Sequence, residues 1–188
     1  PNSNAKEAMP TLLLLHGTGG NEDDLIPLGK ELAPNASILS VRGKVLENGM
    51  PRFFRRLEEG VFDMEDLKKR TDELAEFIVK SSSAYKFDPG SVIAIGYSNG
   101  ANIAASVLLR RPEVLAGAIL FRAMVPFIPT IMPDLSKKSI ILLEGLYDPI
   151  VSKAEAQSLL ELFTKTQSSV TLKWQNSGHN LTQEDIVA

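Results

Sequence analysis

Residues 91–111 read "SVIAIGYSNGANIAASVLLRR", and the change of periodicity inside them decides the fold. From Ser91 to Tyr97 the run is nearly continuous hydrophobic, as in a strand buried on both faces of a parallel sheet. From Asn99 to Arg111 small and apolar residues recur at three- and four-residue spacing, which predicts a helix, and Pro112 stops it. The switch takes five residues, Gly96-Tyr97-Ser98-Asn99-Gly100. A Gly-x-Ser-x-Gly turn between a buried strand and a helix lifts the serine hydroxyl above the sheet edge. A strained residue at such a turn crowds the positions two before and two after it, so Gly96 and Gly100 have a mechanical role. The bland reading, a tight connection with an incidental serine, is weakened by this strand-turn-helix context.

The rest of the chain repeats the alternation. Strands are expected at Thr11–His16, Ser37–Val41, Ser91–Tyr97, Leu115–Phe121, Ser139–Gly145 and Val170–Gln175. The first five read as buried on both faces, while the alternating last one reads as lying near an edge. Helices are expected over residues 23–33, 64–83, 99–111 and 152–166, with Asp63 and Ser152 at N-cap positions. No repeat or linker divides the 188 residues, so the expectation is an α/β protein with one doubly wound domain spanning residues 1–188, the first ten a flexible lead-in. Two long connections, residues 42–62 and 122–138, lack regular periodicity and leave the carboxyl ends of strands, where open α/β sheets bind ligands.

Composition narrows the chemistry. Twenty Lys and Arg against 23 Asp and Glu give a net charge of −3, which supplies no basic field for nucleic acid. No apolar run approaches the roughly 20 residues of a membrane span, and the opening "PNSNAKEAMP" lacks a signal-peptide layout, so a cytoplasmic protein is expected. With no cysteine and two histidines, His16 and His179, neither a thiolate nucleophile nor a metal site is expected. The nucleophile is therefore an oxygen.

A serine needs a base and a group to orient that base. His179 lies four residues past the last strand in "NSGHNLT", whereas His16 ends the first strand and reads as structural. Asp148, three residues after Gly145 and fixed by Pro149, is favoured as the acid over Glu144 and Asp134. The order Ser98, Asp148, His179 is that of α/β-hydrolases rather than chymotrypsin or subtilisin. Two backbone N–H groups suit a developing oxyanion, Asn99 at the helix start and Thr18 in the glycine loop "HGTGGNEDD". That loop lacks the endings of a phosphate loop or dinucleotide fingerprint.

With these residues assembled, "LLLLHGTGGNEDDL", "GYSNGANIAAS", "AILFRAMVPF" and "SGHNLT" resemble the phospholipase/carboxylesterase family of α/β-hydrolases, and within it the bacterial MhqD-type subgroup. The resemblance runs from about Thr11 to Thr182 and implies the same triad and the same two oxyanion N–H groups. It also implies a closing amphipathic helix, for which the nine residues after His179 leave barely two turns. A shortened chain or a homodimer contact would each account for the missing cover.

The expected function is a serine carboxylesterase that cleaves small to medium esters through an acyl-enzyme, without cofactor. Thioester or lysophospholipid substrates at the same triad, and a non-catalytic binding protein of the same fold, are the alternatives. Only 17 residues separate Phe121 from Ser139, too few for a large cap domain. Met124, Val125 and Phe127 are candidates for an acyl pocket, and Arg42 and Arg122, each directly after a core strand, for its rim. The cluster Arg52, Arg55, Arg56 with Phe53 and Phe54 invites an anion-binding reading, but a solvated or salt-bridged face answered by Glu58, Glu59 and Asp63 is the favoured one.

Overall fold

The computed structural model describes residues 9–187, so the expected lead-in lies outside the described residues apart from Met9 and Pro10. In chain order the elements are β1 (Thr11–Leu15), α1 (Ile26–Leu32), β2 (Ser37–Val41), β3 (Val45–Glu47), β4 (Met50–Arg52), β5 (Arg56–Glu58), β6 (Val61–Phe62) and α2 (Met64–Tyr85). There follow β7 (Val92–Tyr97), α3 (Asn99–Arg110), β8 (Gly117–Phe121), β9 (Ser139–Gly145), α4 (Lys153–Lys165), β10 (Ser169–Gln175) and α5 (Gln183–Val187). Six strands form one sheet in the order β10-β9-β8-β7-β1-β2, every neighbouring pair parallel. This is the α/β-hydrolase architecture. Among the described residues no helix is long and apolar enough to cross a membrane.

Alternation along β1 explains why both faces are covered. Leu13 and Leu15 point into a core shared with α2, α3 and α4, where Leu67, Ile78, Leu108 and Phe163 are fully buried. Leu12 and Leu14 point the other way, onto Leu25, Leu28 and the partly buried Leu181 and Ile186. Burying one such leucine contributes about 1.5–3 kcal/mol. Helix α3 is buried from Asn99 to Leu109, with Gly100, Ala101, Ala104 and Ala105 against the sheet so that its backbone approaches closely. The predicted caps are in place: Asp63 accepts from Asp66 N at 3.0 Å and Ser152 from Glu155 N at 3.1 Å.

Two expectations need correction. β2 is an edge strand, its Ser37 exposed and the rest half-buried, because β1 pairs with β7 on its other side. Residues 42–62 are not irregular but hold two hairpins, β3–β4 and β5–β6. Asn48 and Gly49, at φ 52 and 82, form the two-residue turn of the first, and Gly60, at φ 77, closes the second. The other long connection, residues 122–138, holds neither helix nor strand.

Candidate active site

Ser98 sits at φ 52 and ψ −114 between β7 and α3, a conformation a serine adopts only when its surroundings fix it. Ser98 N–H donates to Phe121 O at 2.8 Å, and its carbonyl accepts from Asn102 N at 2.9 Å. A Cβ on Gly96 would meet Gly100 O at 2.6 Å, and one on Gly100 would collide with Leu15 O. Both positions therefore require glycine.

Asp148 is held by its own turn. Its Oδ1 accepts from Ile150 N at 2.7 Å and Val151 N at 3.0 Å, and its side chain is fully buried. Oδ2 faces His179 Nδ1 at 2.8 Å, and His179 Nε2 lies 2.9 Å from Ser98 Oγ. A carboxylate only accepts, so Nδ1 carries the proton and Nε2 is left to accept from the serine hydroxyl. The three predicted side chains thus form one hydrogen-bonded chain from three strand ends.

The His179 loop is tied down from below. Arg122, 0% exposed, donates to Gly178 O at 3.0 Å, Asn180 O at 3.1 Å and Ser177 Oγ at 3.0 Å. It also forms a two-pronged pair with Asp185 of α5, at 2.9 and 2.8 Å. Asp185 in turn accepts from Thr182 N at 2.8 Å. The short α5 therefore anchors the loop through a buried ion pair. Tyr97 adds a bond from its hydroxyl to His179 O at 3.1 Å.

Among the described residues, the amide N–H groups of Thr18 and Asn99 have no hydrogen-bond acceptor. The Asn99 side chain serves elsewhere: Oδ1 accepts from Phe53 N at 2.7 Å and so fastens the segment after β4 to the serine turn. Asn102 fastens the opposite loop, accepting from Met124 N at 2.8 Å.

A cavity of about 240 Å³ opens beside Ser98 and His179. Met124 lines it as expected. Val125 and Phe127 do not; they pack on the main core, and Val125 N donates to Glu155 Oε1. Arg42 pairs with Glu22 away from the cavity, and Arg122 lies beneath the His179 loop rather than at a rim. The cations that line the cavity are Arg52 and Arg56, which sequence reasoning assigned to the surface. Only Arg55 behaves that way, exposed and paired with Asp63 at 2.8 Å. The signal that separates them is the hairpin turn at Asn48-Gly49, which sets β4 against the glycine loop through Gly19 N and Pro51 O at 2.9 Å.

The remaining candidates are structural. His16 is buried, donating from Nδ1 to Gly17 O and accepting from Gly43 N at 3.0 Å. Glu144 is 1% exposed in β9; its Oε1 accepts from Ala123 N at 2.8 Å, and among the described residues Oε2 has no partner. Burial pushes its carboxyl up to about 8, with the nearby Asp148 and Asp185 adding to the rise and Ala123 N–H and Arg122 opposing it.

Comparisons with known proteins show the family of the chain. The family model described as Phospholipase/Carboxylesterase matches residues 2–187. MhqD of Bacillus subtilis (strain 168) is 51% identical over 174 residues, 93% of this chain and 87% of that protein. The crystal structure of the Bacillus cereus carboxylesterase superposes with a TM-score of 0.93 at 53% identity, covering 95% of this chain and 84% of that one. A carboxylesterase from Mesorhizobium loti superposes with a TM-score of 0.88 at 26% identity, covering 96% and 86%.

Proposed function

Since the chain belongs to the phospholipase/carboxylesterase family, we propose that it is a serine carboxylesterase in which Ser98 is the nucleophile, His179 the general base and Asp148 the orienting acid. The observation that carries this reading is the unbroken line of contacts from Asp148 Oδ2 through His179 to Ser98 Oγ, at 2.8 and 2.9 Å. His179 Nε2 takes the hydroxyl proton as Oγ attacks an ester carbonyl, and the resulting imidazolium is stabilised by Asp148. The oxyanion is received by the free N–H groups of Thr18 and Asn99, the latter at the positive end of α3. Collapse expels the alcohol, protonated by His179, and leaves an acyl-enzyme. Water activated by the same imidazole then attacks the acyl carbon and releases the acid.

Substrate size follows from the cavity. About 240 Å³ with Met124 and Ile150 at its wall suits a small or medium ester, and residues 122–138 form no domain above it. Ser98→Ala is expected to lower hydrolysis of a short p-nitrophenyl ester by about four orders of magnitude or more. A fluorophosphonate should label the unaltered protein, and His179→Ala should suppress the labelling. Unchanged turnover in folded Ser98→Ala protein would overturn the reading, and absence of labelling would favour a binding protein.

A further inference from the structure

Arg52 and Arg56 both line the cavity that holds Ser98, and one carboxylate, Glu47, stands between them. Arg56 occupies that carboxylate, donating from Nε at 3.0 and 3.2 Å to its two oxygens and from Nη2 at 2.8 Å. Arg52 is left with an ion-pair contact to Glu47 at 3.2 Å and with neutral acceptors, Phe54 O at 3.2 Å and Thr18 Oγ1 at 2.6 Å. Yet Arg52 is the more deeply buried of the two, 3% exposed. A buried cation with a shared counter-ion is costly unless something else supplies negative charge. Burial lowers the Arg52 pKa, the Arg56 cation lowers it further, and Glu47 only partly opposes them.

The neighbouring groups are also donors. Thr18 Oγ1 accepts from Arg52, so its own O–H is free to donate. Glu59, the other acid at the cavity, is exposed on the turn between β5 and β6, where water and salt screen it. Two guanidinium groups and a hydroxyl donor on one wall, with Ser98 and His179 also lining the same space, match a substrate that brings its own anion.

We propose that this cavity selects esters carrying a second, anionic group, a carboxylate held by Arg52 and Arg56 while the ester carbonyl meets Ser98. The proposal rests on acyl transfer at Ser98, and it narrows the substrate class from simple alkyl esters to half-esters of dicarboxylic acids or esters of hydroxy acids. Charge-assisted pairs between a guanidinium and a carboxylate supply enough energy for at least a tenfold preference.

Matched substrates test it. Monoethyl glutarate against ethyl pentanoate places the charge on the acyl side, and 4-acetoxybutanoate against butyl acetate places it on the alcohol side, with released acid followed by titration. At least one charged ester should exceed its neutral partner in kcat/KM by about tenfold or more, and the ratio should fall with added salt. Arg56→Gln should collapse that ratio, mostly through KM. Glu47→Gln, which removes the competing carboxylate, should raise it. Both ratios at or below one would overturn the proposal while leaving acyl transfer intact. If none of the four esters is turned over, hydrolysis of the p-nitrophenyl ester and fluorophosphonate labelling decide acyl transfer, and calorimetric titration with glutarate decides the cavity's preference alone. Binding weakened at least fivefold by Arg56→Gln would support it, and no binding, or binding equal in the two proteins, would overturn it.

Discussion

Arg122 leaves β8 at φ 55, in the left-handed region, and turns its guanidinium inward beneath the segment that carries His179. Three loop acceptors and Asp185 share its donors, so the residue converts a flexible-looking stretch, Ser177 to Thr182, into a fixed one. Removing one partner of such a buried pair leaves an unpaired charge and costs about 3–5 kcal/mol. Arg122→Gln is therefore expected to lower the unfolding free energy by about that amount and to lower kcat, since His179 loses its register against Ser98. Denaturant titration beside steady-state kinetics checks both; a variant with full kcat and unchanged stability would refute the anchoring role. Asp185→Asn should give a milder version of the same effects, because its amide oxygen still accepts from Arg122. The sequence showed Arg122 only as a cation after a core strand, which is why the rim was its expected place. Its burial depends on Asp185, 63 residues away, and no local pattern carries that pairing.

At the scale of elements, the parallel strands, the three long helices α2, α3 and α4 and the short α1 were legible because their apolar periods are unambiguous. The two hairpins between β2 and α2 were not, since each strand is only two or three residues long and too short to show alternation. Their turns were visible all the same, as Asn48-Gly49 and Gly60. Glycines in the two settings should respond differently to substitution. Gly49 faces open space at φ 82, so Gly49→Ala carries only the conformational penalty, about 1–2 kcal/mol. Gly100→Ala drives a methyl into the carbonyl of Leu15 in β1, backbone against backbone. It is expected to cost more than Gly49→Ala and to displace Ser98, lowering kcat as well as stability. Thermal unfolding of the two variants side by side measures the contrast, and equal losses would contradict the account of the serine turn.

For the molecule as a whole, stability against pH is set by opposing groups. Carboxylates held below their ordinary values by arginine partners, such as Glu47 beside Arg56 and Asp72 beside Arg110, contribute stability that is lost as pH falls through their lowered values. Glu144 acts in the opposite direction. Its carboxyl, ordinarily at 4.5, is raised to about 8 by burial in β9, so between those values the folded protein keeps a proton that the unfolded chain has released. Stability therefore falls as pH rises from 4.5, and the loss levels off above about 8. Glu144→Gln keeps an oxygen to accept from Ala123 N and removes the ionisable group. Urea unfolding at pH 5, 7 and 9 should show the unaltered protein losing stability across the range and the variant losing less. The gap between them should open from pH 5 to 8 and stay constant beyond it. Parallel curves would mean that Glu144 releases its proton as readily in the folded protein as in the unfolded chain, and would refute its opposing role.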